Sequence, residues 1–138
     1  MKMIYLVHDQ QESPVARQNL LEMAGFQVVL MNGSRELLVS LKEGQPDLVL
    51  MDVLIDGKNG FETAREIHAK IPGRRFPIVI SSRIYRSRVF RDEALRSGAQ
   101  DYLLMPQKHE AYLRRLVRAM QLFSGACGEE GQREPAAA

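Results

Sequence analysis

The chain has 138 residues, of which 45% are apolar and 26% are charged, and its formal net charge is +2. This length and composition are sufficient for one domain with an apolar core, and they exclude a wholly disordered chain. The single cysteine, Cys127, excludes an internal disulfide framework. The apolar run at the N-terminus is too short for a signal peptide or a membrane span, so we expect a cytoplasmic protein.

Short apolar runs alternate with helical patterns of apolar residues, which is typical of repeated βα units. The predicted strands are Met3–Val7, Phe26–Met31, Asp47–Met51, Pro77–Ile80 (running into Ser81 and Ser82) and Tyr102–Leu104. Five such units predict an α/β fold with a doubly wound parallel sheet. Right-handed crossovers predict the strand order 2-1-3-4-5.

Five helices are predicted, of which three begin at capping residues and three end at glycines. They begin after Ser13, at Ser34, after Asn59, at about Arg86 and at Ala111. The third start resembles a capping box, because Glu62 follows Asn59 by three residues. The last helix is expected to end at Phe123, and the Gly-, Glu- and Ala-containing sequence beyond it predicts a disordered tail or truncated linker. The expected division is therefore a domain over residues 1–122 and a tail over residues 123–138.

Polar side chains follow three of the predicted strands at their carboxyl ends. His8 and Asp9 follow the first strand, Asp52 follows the third, and Ser82 follows the fourth. In this strand order the first and third strands are neighbours, and the crevice beyond their carboxyl ends is where such sheets bind ligands. Two carboxylates at this point suit a hard cation such as Mg²⁺. For either aspartate alone, capping a helix or facing solvent stays open as an alternative.

Several stretches of the chain resemble the receiver domains of two-component response regulators. They are Leu-Val-His-Asp at 6–9, Pro-Asp-Leu-Val-Leu-Met-Asp at 46–52, Asn-Gly-Phe-Glu at 59–62, Pro-Ile-Val-Ile-Ser-Ser at 77–82 and Ala-Leu-Arg-Ser-Gly-Ala-Gln-Asp-Tyr-Leu at 94–103. The resemblance runs from about Met3 to Met120 and implies a flavodoxin-like receiver fold. It also implies a signalling domain that takes a phosphoryl group from a sensor histidine kinase or a phosphotransfer protein. No enzymatic activity beyond this self-phosphotransfer is expected.

The resemblance implies a role for each residue near the strand ends. Asp52 is the expected phosphoacceptor, and Mg²⁺ is expected on Asp9, Asp52 and the backbone carbonyl of Leu54. Ser82 is expected to bond a phosphoryl oxygen, and Tyr102 to change rotamer as the neighbouring loop moves, which would give the domain a switch. An ordinary half-buried strand aromatic is the alternative for Tyr102.

Two residues depart from the pattern of the resembled family. His8 stands where the first of two adjacent acids is usual, and Met105 replaces a lysine before Pro106. That lysine would make a charged contact with the phosphoryl group, which methionine cannot make. Because an acid and a base are lost together, we hypothesise that they were lost as a charge pair. His8 is expected to have a packing role, with a metal ligand or a pH-sensitive group as alternatives.

The charge of the chain is unevenly distributed. Residues 74–118 carry eleven Lys and Arg side chains against four Asp and Glu, a net charge of +7, whereas residues 1–73 have a net charge of −3. In the resembled family the basic segment would form the face of helix 4, strand 5 and helix 5. Such a face suits an acidic partner protein or a homodimer, with a solvated surface as the alternative. Nucleic-acid binding is not expected, because the sequence has no helix-turn-helix, zinc module or aromatic stacking pattern. Membrane association is not expected, because the apolar run at the N-terminus is too short to span a membrane.

Two other functions stay open at this point. One is a pseudo-receiver, a module of the same fold that binds proteins independently of phosphorylation, which Met105 and His8 favour. The other is a flavodoxin-like enzyme or nucleotide binder. The residues after the first strand are acids and amides, however, and these would repel phosphate unless a cation intervened.

Overall fold

The computed structural model describes residues 1–8, 13–55 and 58–133. Its strands are β1 (Met3–Val7), β2 (Gln27–Met31), β3 (Leu48–Asp52), β4 (Leu54–Ile55), β5 (Lys58–Asn59), β6 (Ile78–Ser82) and β7 (Asp101–Leu104). Its helices are α1 (Val15–Met23), α2 (Ser34–Glu43), α3 (Gly60–Lys70), α4 (Arg88–Arg96) and α5 (His109–Arg133). No helix in the described ranges is long and apolar enough to span a membrane.

Five of the strands form one parallel sheet in the order β2-β1-β3-β6-β7. This confirms the predicted doubly wound sheet and its strand order. The central strands are continuous apolar runs because helices cover both of their faces. Alternate residues of β3 therefore enter different cores: Val49 and Met51 pack with α2, α3 and α4, whereas Leu48 and Leu50 pack with α1 and α5.

The parallel register brings the carboxyl ends of three strands together. Val7 pairs with Met51, and Asp52 pairs with Ser81. Consequently the end of β3 lies between the end of β1, which precedes His8, and the end of β6. This alignment follows from the pairing of the apolar runs, and it places the polar residues after each run at one edge of the sheet.

The start of α3 confirms the capping interaction expected from the sequence. The Asn59 side chain accepts a hydrogen bond from the backbone N–H of Glu62 at 2.8 Å. The segment before it differs from the expected loop, because β4 and β5 form a short antiparallel hairpin. The backbone N–H of Gly60 donates to the carbonyl of Val53 at 2.7 Å, which fastens α3 to the residue that follows Asp52.

The last helix is longer than the sequence pattern indicates. We expected α5 to end at Phe123, and in the structure it continues to Arg133. The glycines beyond Phe123 lower helix stability but do not remove a backbone donor, and the first residue that does so is Pro135. The division of the chain at residue 122 stays a prediction.

Candidate functional site

Asp52 lies at the carboxyl edge of the sheet in a cleft of about 90 Å³. It is the last residue of β3, and its side chain is 15% exposed. The hydroxyl of Ser81, its partner in the sheet register, donates a hydrogen bond to Asp52 Oδ1 at 2.9 Å. The carboxylate is therefore held in a fixed position while one side of it faces the cleft.

A second and stronger contact of Asp52 comes from Arg17 on α1. The guanidinium donates from Nη1 to Oδ1 and from Nη2 to Oδ2, each at 3.0 Å. This is the bidentate arrangement in which the planar fork of an arginine matches both oxygens of a carboxylate. Both side chains are 15% exposed, so the ion pair is shielded from solvent more than a surface pair would be.

The protonation states around this ion pair follow from burial and charge. Burial lowers the pKa of Arg17, but Asp52 and Tyr112 raise it by more, so the pKa of Arg17 lies above its usual value. Burial raises the pKa of Tyr112 to about 12 against the opposing effect of Arg17. At neutral pH the guanidinium is therefore charged, and the phenol beside it is neutral.

The other residues that line the cleft come from the ends of β3 and β6 and from the loop after β7. They are Val53, Leu54, Ser81, Ser82, Arg83, Ile84 and Met105. Met105 is half-buried and packs against the core cluster that contains Tyr112. Arg17 and Arg83 are the basic residues among those described in the lining, and the side chain of Arg83 is exposed.

Ser82 and Tyr102 both contact the loop between β6 and α4. Ser82 Oγ accepts hydrogen bonds from the backbone N–H groups of Ile84 and Tyr85, at 3.1 and 2.9 Å. The buried Tyr102 donates its hydroxyl to the carbonyl of Tyr85 at 2.6 Å, and burial raises the pKa of this phenol. One loop is thus tied to a cleft residue and to a core aromatic at the same point.

The structure brings together most, but not all, of the residues that the sequence indicated. Asp52, Leu54, Ser82 and Met105 line one cleft, and Tyr102 lies beside its loop. His8 is buried, and its backbone N–H donates to the carbonyl of Met31 at 3.4 Å. Asp9 lies outside the described residues, as do its expected contacts.

The described residues form only part of a magnesium site. No group of three or more His, Cys, Asp or Glu side chains suited to a metal occurs in the part of the chain that the structure describes. Asp52 supplies a carboxylate, and Leu54 lies at the cleft, but Arg17 binds both carboxylate oxygens. A cation here would share the Asp52 carboxylate with Arg17 and would need oxygen ligands beyond it.

Comparison with known proteins decides the family. Residues 4–117 match the family model described as the response regulator receiver domain. The chain belongs to this family. It is therefore a receiver domain of two-component signalling, and its family is a signalling family.

The relatives of this receiver domain range from long regulators to a protein of similar length. Transcriptional regulatory protein ZraR of Escherichia coli (strain K12) is 37% identical over 103 residues, which are 75% of this chain and 23% of ZraR. Protein PilH of Pseudomonas aeruginosa is 27% identical over 114 residues, covering 83% of this chain and 93% of PilH. The chain thus spans about a quarter of the length of ZraR.

A solved structure that is similar to this receiver domain carries a metal. It is the receiver domain of sensor histidine kinase PA1611 from Pseudomonas aeruginosa PAO1, with a magnesium ion coordinated in the active site cleft. It is 28% identical, has a TM-score of 0.76, and the match covers 87% of this chain and 98% of that one. Magnesium binding is therefore a property found in this family.

Proposed function

We propose that this receiver domain accepts a phosphoryl group on Asp52. The observation that carries the proposal is the position of the Asp52 carboxylate at the end of β3. Ser81 of β6 holds this carboxylate by a hydrogen bond, and the carboxylate faces a cleft. A carboxylate attacks phosphorus effectively only when its charge is offset and its geometry is held. A sensor histidine kinase or a phosphotransfer protein is the proposed donor, and self-phosphotransfer is the only reaction.

Magnesium is the proposed cofactor of this reaction. Asp9, Asp52 and the backbone carbonyl of Leu54 would hold it, since oxygen ligands of this kind suit a hard divalent cation. The cation would offset negative charge on the carboxylate and on the incoming phosphoryl group. The magnesium ion of the PA1611 receiver domain supports this assignment by similarity.

Ser82 and Tyr102 are the proposed switch. Ser82 Oγ accepts hydrogen bonds from two backbone N–H groups and so holds the loop before α4. A hydroxyl can also donate a hydrogen bond, and a phosphoryl oxygen on Asp52 would be its acceptor. Movement of the loop would then change the contact between Tyr102 and Tyr85 and pass the signal towards α4.

The face made by α4, β7 and α5 is the proposed output surface. Arg91, Arg115 and Arg118 line a groove on it. Arg115 is bound bidentately by Asp101, at 2.7 and 2.9 Å, whereas Arg91 and Arg118 are exposed. We assign this surface to an acidic partner protein, because two exposed arginines beside a groove would steer an acidic surface to it. The cytoplasm, where such partners would be met, is the expected location.

The ion pair at Asp52 favours a second candidate function. Arg17 covers both carboxylate oxygens, and Met105 adds no charge to the cleft. A pseudo-receiver would keep this ion pair permanently and bind its partner without phosphorylation. The two functions differ in whether Asp52 reacts.

Phosphorylation of Asp52 can be tested with a small acyl phosphate. The protein is incubated with Mg²⁺ and acetyl phosphate, and its intact mass is measured. We expect one phosphate adduct in the wild-type protein and in Asp92→Asn, a control at an exposed position of α4, but none in Asp52→Asn. If wild-type protein forms no adduct but binds an acidic protein, the pseudo-receiver is the correct function.

A further inference from the structure

The guanidinium of Arg17 is a cationic group in direct contact with the proposed phosphoacceptor. We infer that Arg17 binds the phosphoryl group on Asp52 and thereby supplies the positive charge that Met105 does not. The inference rests on the proposed phosphorylation of Asp52. It assigns to α1 a role in the reaction that the sequence pattern gives to the loop after β7.

The geometry of the ion pair places Arg17 within reach of a phosphoryl group. Its two N–H donors lie 3.0 Å from the two carboxylate oxygens, one of which would carry the phosphorus. The oxygens of that group would lie beside the present acceptors, so a small movement of the side chain would move both N–H bonds onto them. The flat fork of arginine fits two phosphoryl oxygens as well as it fits a carboxylate.

The negative charge at the site increases in the reaction, and this favours the movement of the Arg17 side chain onto the phosphoryl group. One carboxylate oxygen of Asp52 attacks the phosphorus of the donor, an O–P bond forms, and the bond from phosphorus to the leaving group breaks. The leaving group keeps that electron pair. A single negative charge on the carboxylate is replaced by the two negative charges of an acyl phosphate, so the attraction of Arg17 passes from the carboxylate to the phosphoryl group.

The surroundings of Arg17 suit a group that stays charged through this change. Its side chain is 15% exposed, and the buried Tyr112 lies close to it. Arg83, the other described basic residue of the lining, has an exposed side chain that water screens more strongly. A fixed and partly desolvated cation stabilises developing negative charge more effectively than an exposed one.

A purely obstructive ion pair predicts the opposite behaviour. If Arg17 only covered the carboxylate, its removal would free Asp52 and tighten the binding of any phosphoryl-like ligand. If Arg17 binds the phosphoryl group, its removal weakens such binding. Whether the removal of Arg17 tightens or weakens the binding of a phosphoryl-like ligand therefore distinguishes the two roles.

Fluoroberyllate, a mimic of a phosphoryl group on a carboxylate, is the ligand with which we test the direction of this change. Its affinity is measured by ¹⁹F NMR in the presence of Mg²⁺ for the wild-type protein, Arg17→Gln and Arg35→Gln. The last variant removes the same charge from an exposed position of α2. We expect Arg17→Gln to bind roughly tenfold to a hundredfold more weakly, the effect of losing hydrogen bonds to a charged group, and Arg35→Gln to match the wild type.

The affinity for Mg²⁺ alone, measured by calorimetry, excludes a general loss of structure. Arg17→Gln should bind Mg²⁺ at least as tightly as the wild type, because a competing cation has left Asp52. Equal or tighter fluoroberyllate binding by Arg17→Gln would overturn the inference, and so would a parallel loss of Mg²⁺ affinity. If the wild type binds no fluoroberyllate and forms no phosphate adduct, the proposed function fails as well.

A charge placed at Met105 gives a rescue experiment. Met105 lines the same cleft as Arg17, so Met105→Lys returns a cation to that cleft. In the Arg17→Gln background this substitution should restore most of the lost fluoroberyllate affinity. A double variant that stays as weak as Arg17→Gln would overturn the assignment of the missing charge to Arg17.

Discussion

Asp52 shows how strongly one residue depends on neighbours from distant parts of the chain. Its carboxylate is held by Ser81 from β6 and by Arg17 from α1. The hypothesis of a lost charge pair considered His8 and Met105, and it omitted Arg17. The balance of charge at the site therefore includes a cation that the hypothesis did not count.

Gly60 is needed where α3 approaches the backbone of Asp52. A Cβ atom added to it would lie 2.8 Å from the carbonyl oxygen of Asp52. This is a backbone atom, which cannot rotate away as the end of a flexible side chain can. We predict that Gly60→Ala lowers the free energy of unfolding by about 1–3 kcal/mol, as other overpacked sites do. Urea unfolding measures this change.

The matched control for this substitution is Gly44, which follows α2. A Cβ atom there meets nothing within 4 Å, and the backbone is extended with φ −174°, a conformation that any residue adopts. Gly44→Ala should leave the midpoint of unfolding nearly unchanged. If Gly60→Ala were equally neutral, α3 would not be packed tightly against the end of β3.

At the scale of elements, Glu66 fastens the β4–β5 hairpin to α3. Its carboxylate forms ion pairs with Lys58 of β5 and with Lys70 one turn further along α3. The hydrogen bonds from Lys58 and Lys70 lower the pKa of Glu66 below its usual value, and burial opposes them weakly. A carboxyl group whose pKa is lower in the folded state stabilises that state above its unfolded pKa of 4.5.

We therefore predict that acid removes this stabilisation. As the pH falls below 4.5 and through the lower folded pKa of Glu66, the ion pairs are lost with their contribution to stability. Both lysines are substantially exposed, so the contribution is under about 1 kcal/mol. Thermal unfolding at several pH values should show a smaller acid effect in Glu66→Gln than in the wild type. Glu43→Gln, at an exposed position of α2, should keep the wild-type pH dependence; an unchanged dependence in Glu66→Gln would contradict the prediction.

The pattern of charge concerns the whole molecule. The net charge of +2 combines −3 over residues 1–73, +7 over residues 74–118 and −2 over residues 119–138. The structure divides the basic segment over residues 74–118 into arginines with internal contacts and arginines that face solvent. Arg74 binds the carbonyl of Gly98 and lies over the ring of Phe76, whereas Arg91 and Arg118 are exposed beside one groove.

We predict that this groove binds acidic chains in a salt-dependent manner. A poly-glutamate peptide should bind the wild-type protein more weakly as the NaCl concentration rises, because salt screens exposed charges. The double variant Arg91→Glu with Arg118→Glu should lose most of this binding, and Arg35→Glu should lose little. Fluorescence anisotropy of the labelled peptide measures both effects, and binding that is independent of salt would contradict an electrostatic face.

The strands and the cap of α3 could be predicted because their causes are local. An apolar run bounded by polar residues indicates a buried strand, and Asn59 three residues before Glu62 is a capping pattern in the sequence itself. The β4–β5 hairpin and the end of α5 were missed. The hairpin has two residues in each strand and no apolar alternation, and the glycines after Phe123 weaken a helix without ending it.

The sequence by itself determined the order of the strands and placed Asp52 and Ser82 at the carboxyl edge of the sheet. Those positions follow from where apolar runs end and from the handedness of crossovers, which are properties of short segments. Only the tertiary structure decided that Arg17 binds Asp52 and that Ser81 donates to it. The direction of the long Arg17 side chain depends on the packing of α1 and α5 against the sheet. The contact of Ser81 with Asp52 depends on the register of β3 with β6, which pairs residues 29 positions apart.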